Sequence, residues 1–149
     1  MAIGKINGIS IAGGGGGGGG STSLNFAFFD STVRDVYCPW VGETENTGLQ
    51  RYNRWLVPQS LTLTSMTFVR MTTNVTTGNI QWIAEVYNGA ILSTSETQTV
   101  TAPLTIWQYY TVNFSSTTLS TGQIFALKMI NTNTGGVASG NIAGTVLFN

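Results

Sequence analysis

The stretch from Ile80 to Tyr87 constrains this chain more than any other. Ile80, Trp82, Ala84 and Val86 fall on one side of a two-residue repeat, and Gln81, Ile83, Glu85 and Tyr87 on the other. That period belongs to a β-strand with one face in a core, because successive side chains of a strand point to opposite faces. Asn88-Gly89 follows at once. This pair tolerates the positive φ angles of a type I′ turn, so the chain is predicted to double back there through Ala90 to Leu92 as a hairpin.

Similar runs recur along the chain, and no helical period competes with them. Leu104 to Phe114 alternates Leu104, Ile106, Tyr110, Val112 and Phe114 against Thr105, Trp107, Tyr109, Thr111 and Asn113, and reads as a long central strand. Leu61 to Met71 starts with Leu61 and Leu63 in phase, then changes parity at Met66 and Phe68, which a β-bulge near Ser65 would reconcile. Further strands are predicted over Leu24 to Phe29, Val33 to Cys38, Arg51 to Val57, Gln123 to Ile130 and Ala143 to Phe148, with Thr94 to Val100 as a polar edge. Short strands at this spacing, separated by Gly, Asn, Ser and Thr, imply an all-β fold. It is an antiparallel β-sandwich of about eight strands, with the jelly roll as the leading version.

Gly13 to Gly20, eight consecutive glycines, divide the chain. Having no side chain to pack and the greatest backbone freedom, they read as a spacer. The predicted organisation is an N-terminal arm over residues 1–12, a glycine-rich linker over 13–23 and the sandwich over 24–149. Within the arm, Ile9 and Ile11 alternate with Ser10 as in a short strand. The eight glycines span about 26–29 Å if fully extended and roughly 15–17 Å as a coil.

At 149 residues there is one core to build. Charged residues make up only 8%, against about 25% in an ordinary domain. Six basic residues balance six acidic ones. No nucleic acid and no anionic membrane is expected as a partner, and a net charge of zero favours self-association. The single cysteine, Cys38, rules out a disulfide within the chain and reads as a small buried hydrophobe. Met1 to Ala12 does not read as a signal peptide, so synthesis in a cytoplasm is expected and the sequons at Asn74 and Asn113 read as chance.

The chain contains no histidine, which removes the commonest general base and metal ligand, and no cofactor is expected. Glu43 and Glu45 have the spacing of paired carboxylates on one strand face. The turn formers around them, from Gly42 to Gly48, favour a solvated loop. The glycine run lacks the lysine and the following helix of a phosphate-binding loop. Of the four tryptophans, which could in principle stack on sugars, Trp82 reads as core. Trp40, beside Pro39, and Trp55, beside Arg54, lie near strand ends, and with Arg54 they are the interface candidates. The chain is thus expected to bind rather than to catalyse.

Tyr37-Cys38-Pro39-Trp40, Glu43-Thr44-Glu45, Arg54-Trp55-Leu56-Val57-Pro58 and Leu119-Ser120-Thr121-Gly122-Gln123 carry a resemblance that runs from Val36 to Phe148. The chain resembles jelly-roll-like virion structural proteins of tailed bacteriophages, especially marine phages. Its opening, Gly4-Lys5-Ile6-Asn7-Gly8-Ile9, is similar to the starts of phage virion proteins. The resemblance implies a protein of the outer virion surface, made in the host cytoplasm. In the first reading it is a capsid decoration or cement protein, a homo-oligomer and by analogy a trimer. Its partner is the major capsid protein, held by an arm that adds a strand to an exposed sheet edge through Lys5, Ile6, Asn7, Ile9 and Ile11. The alternative is a receptor-binding or fibre-tip module of the tail that touches a host glycan.

Overall fold

The computed structural model describes residues 5–6, 9–10, 21–28, 35–41, 48–49, 51–72, 74–115, 117–132 and 141–149, with the backbone alone at 5, 6, 9, 10 and 51. It is an antiparallel β-sandwich. One sheet takes the strands β3 (Thr22–Phe28), β12 (Ile142–Phe148), β6 (Leu61–Arg70) and β9 (Tyr109–Asn113) in the order β3-β12-β6-β9. The other takes β4 (Asp35–Tyr37), β11 (Ile124–Asn131), β7 (Asn79–Asn88) and β8 (Ile91–Thr101) in the order β4-β11-β7-β8. Counted along the chain, these eight strands read 1-8-3-6 and 2-7-4-5, the order of a jelly roll in which each connection passes between sheets or closes a hairpin.

Short pieces extend both sheets. β5 (Trp55–Leu56) continues the β4 side of β11, and β10 (Thr118–Leu119) continues the β9 side of β6. In the arm, β1 (Lys5–Ile6) and β2 (Ile9–Ser10) pair with each other, and β2 lies on the outer edge of β3 with Ile9 opposite Leu24 and Ser10 opposite Ser23.

The alternation read from Ile80 to Tyr87 is realised in β7: Ile80, Trp82, Ala84 and Val86 are all buried against the opposite sheet. In β6, Leu147 faces Ser65 but Phe148 faces Leu63, so Thr64 is the extra residue of a bulge. That bulge lets Leu61 and Leu63 share the buried face with Met66 and Phe68. The hairpin lies where expected but one residue later. Its two-residue loop is Gly89-Ala90, and only Gly89, at φ 62°, is positive, the pattern of a type II′ rather than a type I′ turn. Ser93 is then left over as a second bulge, since Val86 faces Thr94 and Tyr87 faces Leu92. β8 is the polar edge strand anticipated from Thr94 to Val100. Glu96 ties it to the far sheet: one carboxylate oxygen accepts from the Ser115 amide at 2.7 Å and the other from the Thr117 hydroxyl at 2.7 Å.

Aromatic rings fill the space between the sheets. Trp82 meets Phe68 and Phe26 at 4.9 and 5.6 Å between ring centroids. Phe148 meets Trp55 and Phe125 at 5.2 and 5.3 Å. Cys38 is fully buried, and desolvation pushes its thiol well above the ordinary range.

Leu104 to Phe114 is not one long central strand. The strand starts only at Tyr109 and lies at the sheet edge beside β6. Leu104 instead exchanges two backbone hydrogen bonds with Val75, and Thr105 to Gln108 form a turn.

Candidate functional site

The strand register builds two rows of side chains across the outer face of the β3-β12-β6-β9 sheet. Asn25, Thr145, Thr67 and Thr111 stand side by side in one row. Ala27, Ala143, Val69 and Tyr109 stand in the next. Hydrogen bonds lock the first row, Thr145 donating to Asn25 Oδ1 at 2.8 Å and the Thr67 and Thr111 hydroxyls meeting at 3.1 Å. In the second row the small Ala27 and Ala143 leave a depression. The result is a groove of about 480 Å³ that Tyr109 borders at the β9 side and to which the segment after β4 adds Pro39 and Trp40. Among the described residues, no lining residue carries a formal charge.

The turn before β9 adds a second feature at the Tyr109 end. Trp107 has a positive φ of 62°, the one non-glycine residue in that region among the described residues. A bulky side chain there costs on the order of 1–3 kcal/mol. Three successive amides of the turn are each held by a different element. Thr105 N–H donates to the Tyr110 hydroxyl at 2.6 Å, Ile106 N–H to Asn74 Oδ1 at 2.8 Å and Trp107 N–H to the Arg70 carbonyl at 2.8 Å. So many bonds over-determine the turn and hold it in the strained conformation. Trp107 is 66% exposed and Tyr109, the first residue of β9, 74%, so both aromatics face solvent.

In comparisons with known proteins, no family model, no curated protein and no solved structure matches the chain.

The interface candidates divide. Trp40 and Trp55 are not surface residues; they are 6% and 7% exposed and belong to the core. β5 pairs Trp55 with Phe125, which turns the indole inward onto Phe148 and leaves Leu56 outside. Trp40 stacks on Phe125 and meets Phe26 edge-on, so only its border reaches the groove. Arg54 is exposed and donates to the Leu49 carbonyl at 3.0 Å. Of the arm residues, Lys5, Ile6 and Ile9 lie in β1 and β2, while Asn7 and Ile11, like Glu43 and Glu45, lie outside the described residues. The alternation of Leu104 to Phe114 holds from Tyr109 on, where Tyr109 is on the exposed face of β9, but it gives no sign of the strained turn at Trp107.

The outer face of the second sheet holds a polar cluster that the sequence reading did not single out. Glu85, only 8% exposed, accepts from the Tyr37 hydroxyl at 2.8 Å on the same oxygen that takes the Tyr87 hydroxyl. Lys128 pairs with Asp35 at 2.9 Å and lies 5.6 Å from the Tyr37 ring centre. Burial, then the bonds to Tyr87 and Glu85, raise the Tyr37 phenol far above its ordinary value of 10.0. Burial, then Glu85, raises that of Tyr87. Both phenols therefore keep their protons through the neutral range, and the cluster is closed on itself.

A pH dependence follows. A group whose pKa is raised in the folded state binds more protons there than in the unfolded chain, so its contribution is fully present below the unfolded value. It is lost as pH rises above about 10, by up to about 1.4 kcal/mol per pH unit for each phenol. The urea midpoint is expected to be flat in this respect from pH 7 to 9 and to fall from pH 10 to 11.5. Tyr37→Phe should make that alkaline fall shallower; an equally steep fall in the variant would exclude Tyr37 as its source.

Proposed function

We propose that the chain is a structural protein of a tailed-phage virion, a decoration protein that sits on the outer surface of the capsid as a trimer and acts by binding alone. The observation that supports this reading best is the arm. β2 extends the sandwich by only two residue pairs along a seven-residue strand, and it is joined to that strand through residues 11–21, including all eight consecutive glycines. A hairpin needs only two to five residues to close. The excess length lets the same strand-forming arm reach an exposed sheet edge of a coat subunit instead, with backbone hydrogen bonds supplying affinity. The jelly roll behind it is built without the arm, because β3 already has β12 as a full-length partner.

Deleting residues 1–20 tests this on particles. The shortened chain is expected to keep the melting behaviour of the full chain yet to be lost from purified heads, on which the full chain appears in groups of three. Unchanged attachment of the shortened chain would end the anchoring role. The groove bordered by the exposed Tyr109, with Trp107 exposed two residues earlier, favours a second reading, an adhesion module of the tail. Antibody labelling of heads against tails separates the two.

A further inference from the structure

We infer that the groove across the outer face of the β3-β12-β6-β9 sheet binds a neutral oligosaccharide, with a sugar ring stacked on Tyr109 at its β9 end, where Trp107, two residues earlier in the chain, is also exposed. This goes beyond the virion assignment and is the same for a head or a tail position.

The chemistry of the walls selects the ligand class. Among the described residues the lining holds no charge, so it offers neither an anion nor a cation a counter-charge. One wall is a row of amide and hydroxyl groups already oriented by the Thr145–Asn25 and Thr67–Thr111 bonds, which a purely apolar ligand such as a lipid chain would desolvate without return. An extended peptide is recognised through free strand edges. The floor of this groove is the interior of a sheet, where β12 and β6 have their backbone groups engaged with strands on both sides. A ligand seated over β12 and β6 is therefore met by side chains.

A pyranose satisfies these conditions. It offers an apolar face of C–H groups for the aromatic rings and a rim of hydroxyls for the Asn25–Thr145–Thr67 row. Three strand spacings of about 4.8 Å make the groove roughly 14 Å long, room for more than one sugar ring. The strained turn explains itself in this setting. Backbone strain persists where surrounding bonds enforce it, and it clusters at ligand sites. Here it fixes the backbone at Trp107 and leaves that residue exposed beside β9.

The test is a titration of the isotope-labelled full chain, followed by amide NMR, with maltotriose, chitotriose, mannotriose and lactose, and with sialyllactose as the charged comparison. At least one neutral sugar is expected to give saturable shifts centred on Tyr109, Ala143 and Thr145. Tyr109→Ala should weaken that binding at least tenfold and Trp107→Ala severalfold. Ala143→Tyr, which fills the groove, should abolish it. Tyr109 and Trp107 are exposed, so these two variants are expected to keep the wild-type spectrum elsewhere and give a fair comparison even if Ala143→Tyr fails to fold. If no neutral sugar gives saturable shifts, if the shifts centre away from the groove, or if Tyr109→Ala binds as the wild type does, the inference is wrong. The readout needs no particle, so its failure leaves the virion assignment standing and the arm experiment leaves this inference untouched.

Discussion

Trp82→Ala is expected to lower the stability of the chain by about 3–5 kcal/mol, the largest loss from any single substitution described for it. Trp82 is completely buried in β7 and touches Phe68 and Phe26 of the opposite sheet. Removing the indole empties the middle of the sandwich, and neither sheet can close the gap, because each is held by long ladders on both sides of the contact. For a single domain with a total stability on the order of 5–15 kcal/mol, this is a large fraction. Trp82→Phe should cost clearly less. It keeps most of the ring volume and deletes an indole N–H that has no hydrogen-bond acceptor among the described residues. Urea unfolding followed by far-ultraviolet circular dichroism measures both. A loss under about 1 kcal/mol for Trp82→Ala would mean that the two sheets do not pack around this residue.

The periodicity of Ile80 to Tyr87 was enough to place Trp82 in the core, because a strand buried on one face writes that face into every second residue. The parity change at Met66 located a bulge for the same reason. Periodicity fails where a segment is too short to show it or where its conformation is enforced from elsewhere. Trp55 lies in a two-residue strand, and only pairing with Phe125 decides which way it points. Thr105 to Trp107 continues the alternation of Leu104 to Phe114, yet its amides are claimed by Asn74, Arg70 and Tyr110. Two of those three partners are remote in sequence, so no local pattern records them. The candidate site was hidden for a related reason. Its aromatics were visible, but Asn25, Thr67, Ala143 and Tyr109 are brought onto one face only through the register of four strands spread along the chain.

Gly144→Ala is the second large effect, and its direction runs against the usual trend. At a position free of strain, replacing glycine by alanine stabilises by about 0.4–1 kcal/mol, because the unfolded chain loses freedom. Gly144 lies in β12 between Phe26 on β3 and Phe68 on β6. A Cβ there would come within 2.5 and 2.8 Å of two carbons of the Phe26 ring and within 2.8 Å of the Thr67 carbonyl oxygen. The ring has no room to retreat: it is 3% exposed and is walled by Phe28, Trp40 and Trp82, with centroids at 6.5, 6.2 and 5.6 Å. The carbonyl belongs to a strand paired on both sides. Overpacking of this kind costs about 1–3 kcal/mol, which exceeds the entropic gain. Gly144→Ala is therefore expected to lower the urea midpoint with an unchanged slope. Phe26→Leu, destabilising by itself, should cost less in the Gly144→Ala background than in the wild type, because the clash is already present and the smaller side chain relieves it. Additive losses in that double-mutant cycle would show that the Phe26 ring is not what makes glycine necessary, and a midpoint at or above the wild type for Gly144→Ala would show that the strand has room for the methyl group.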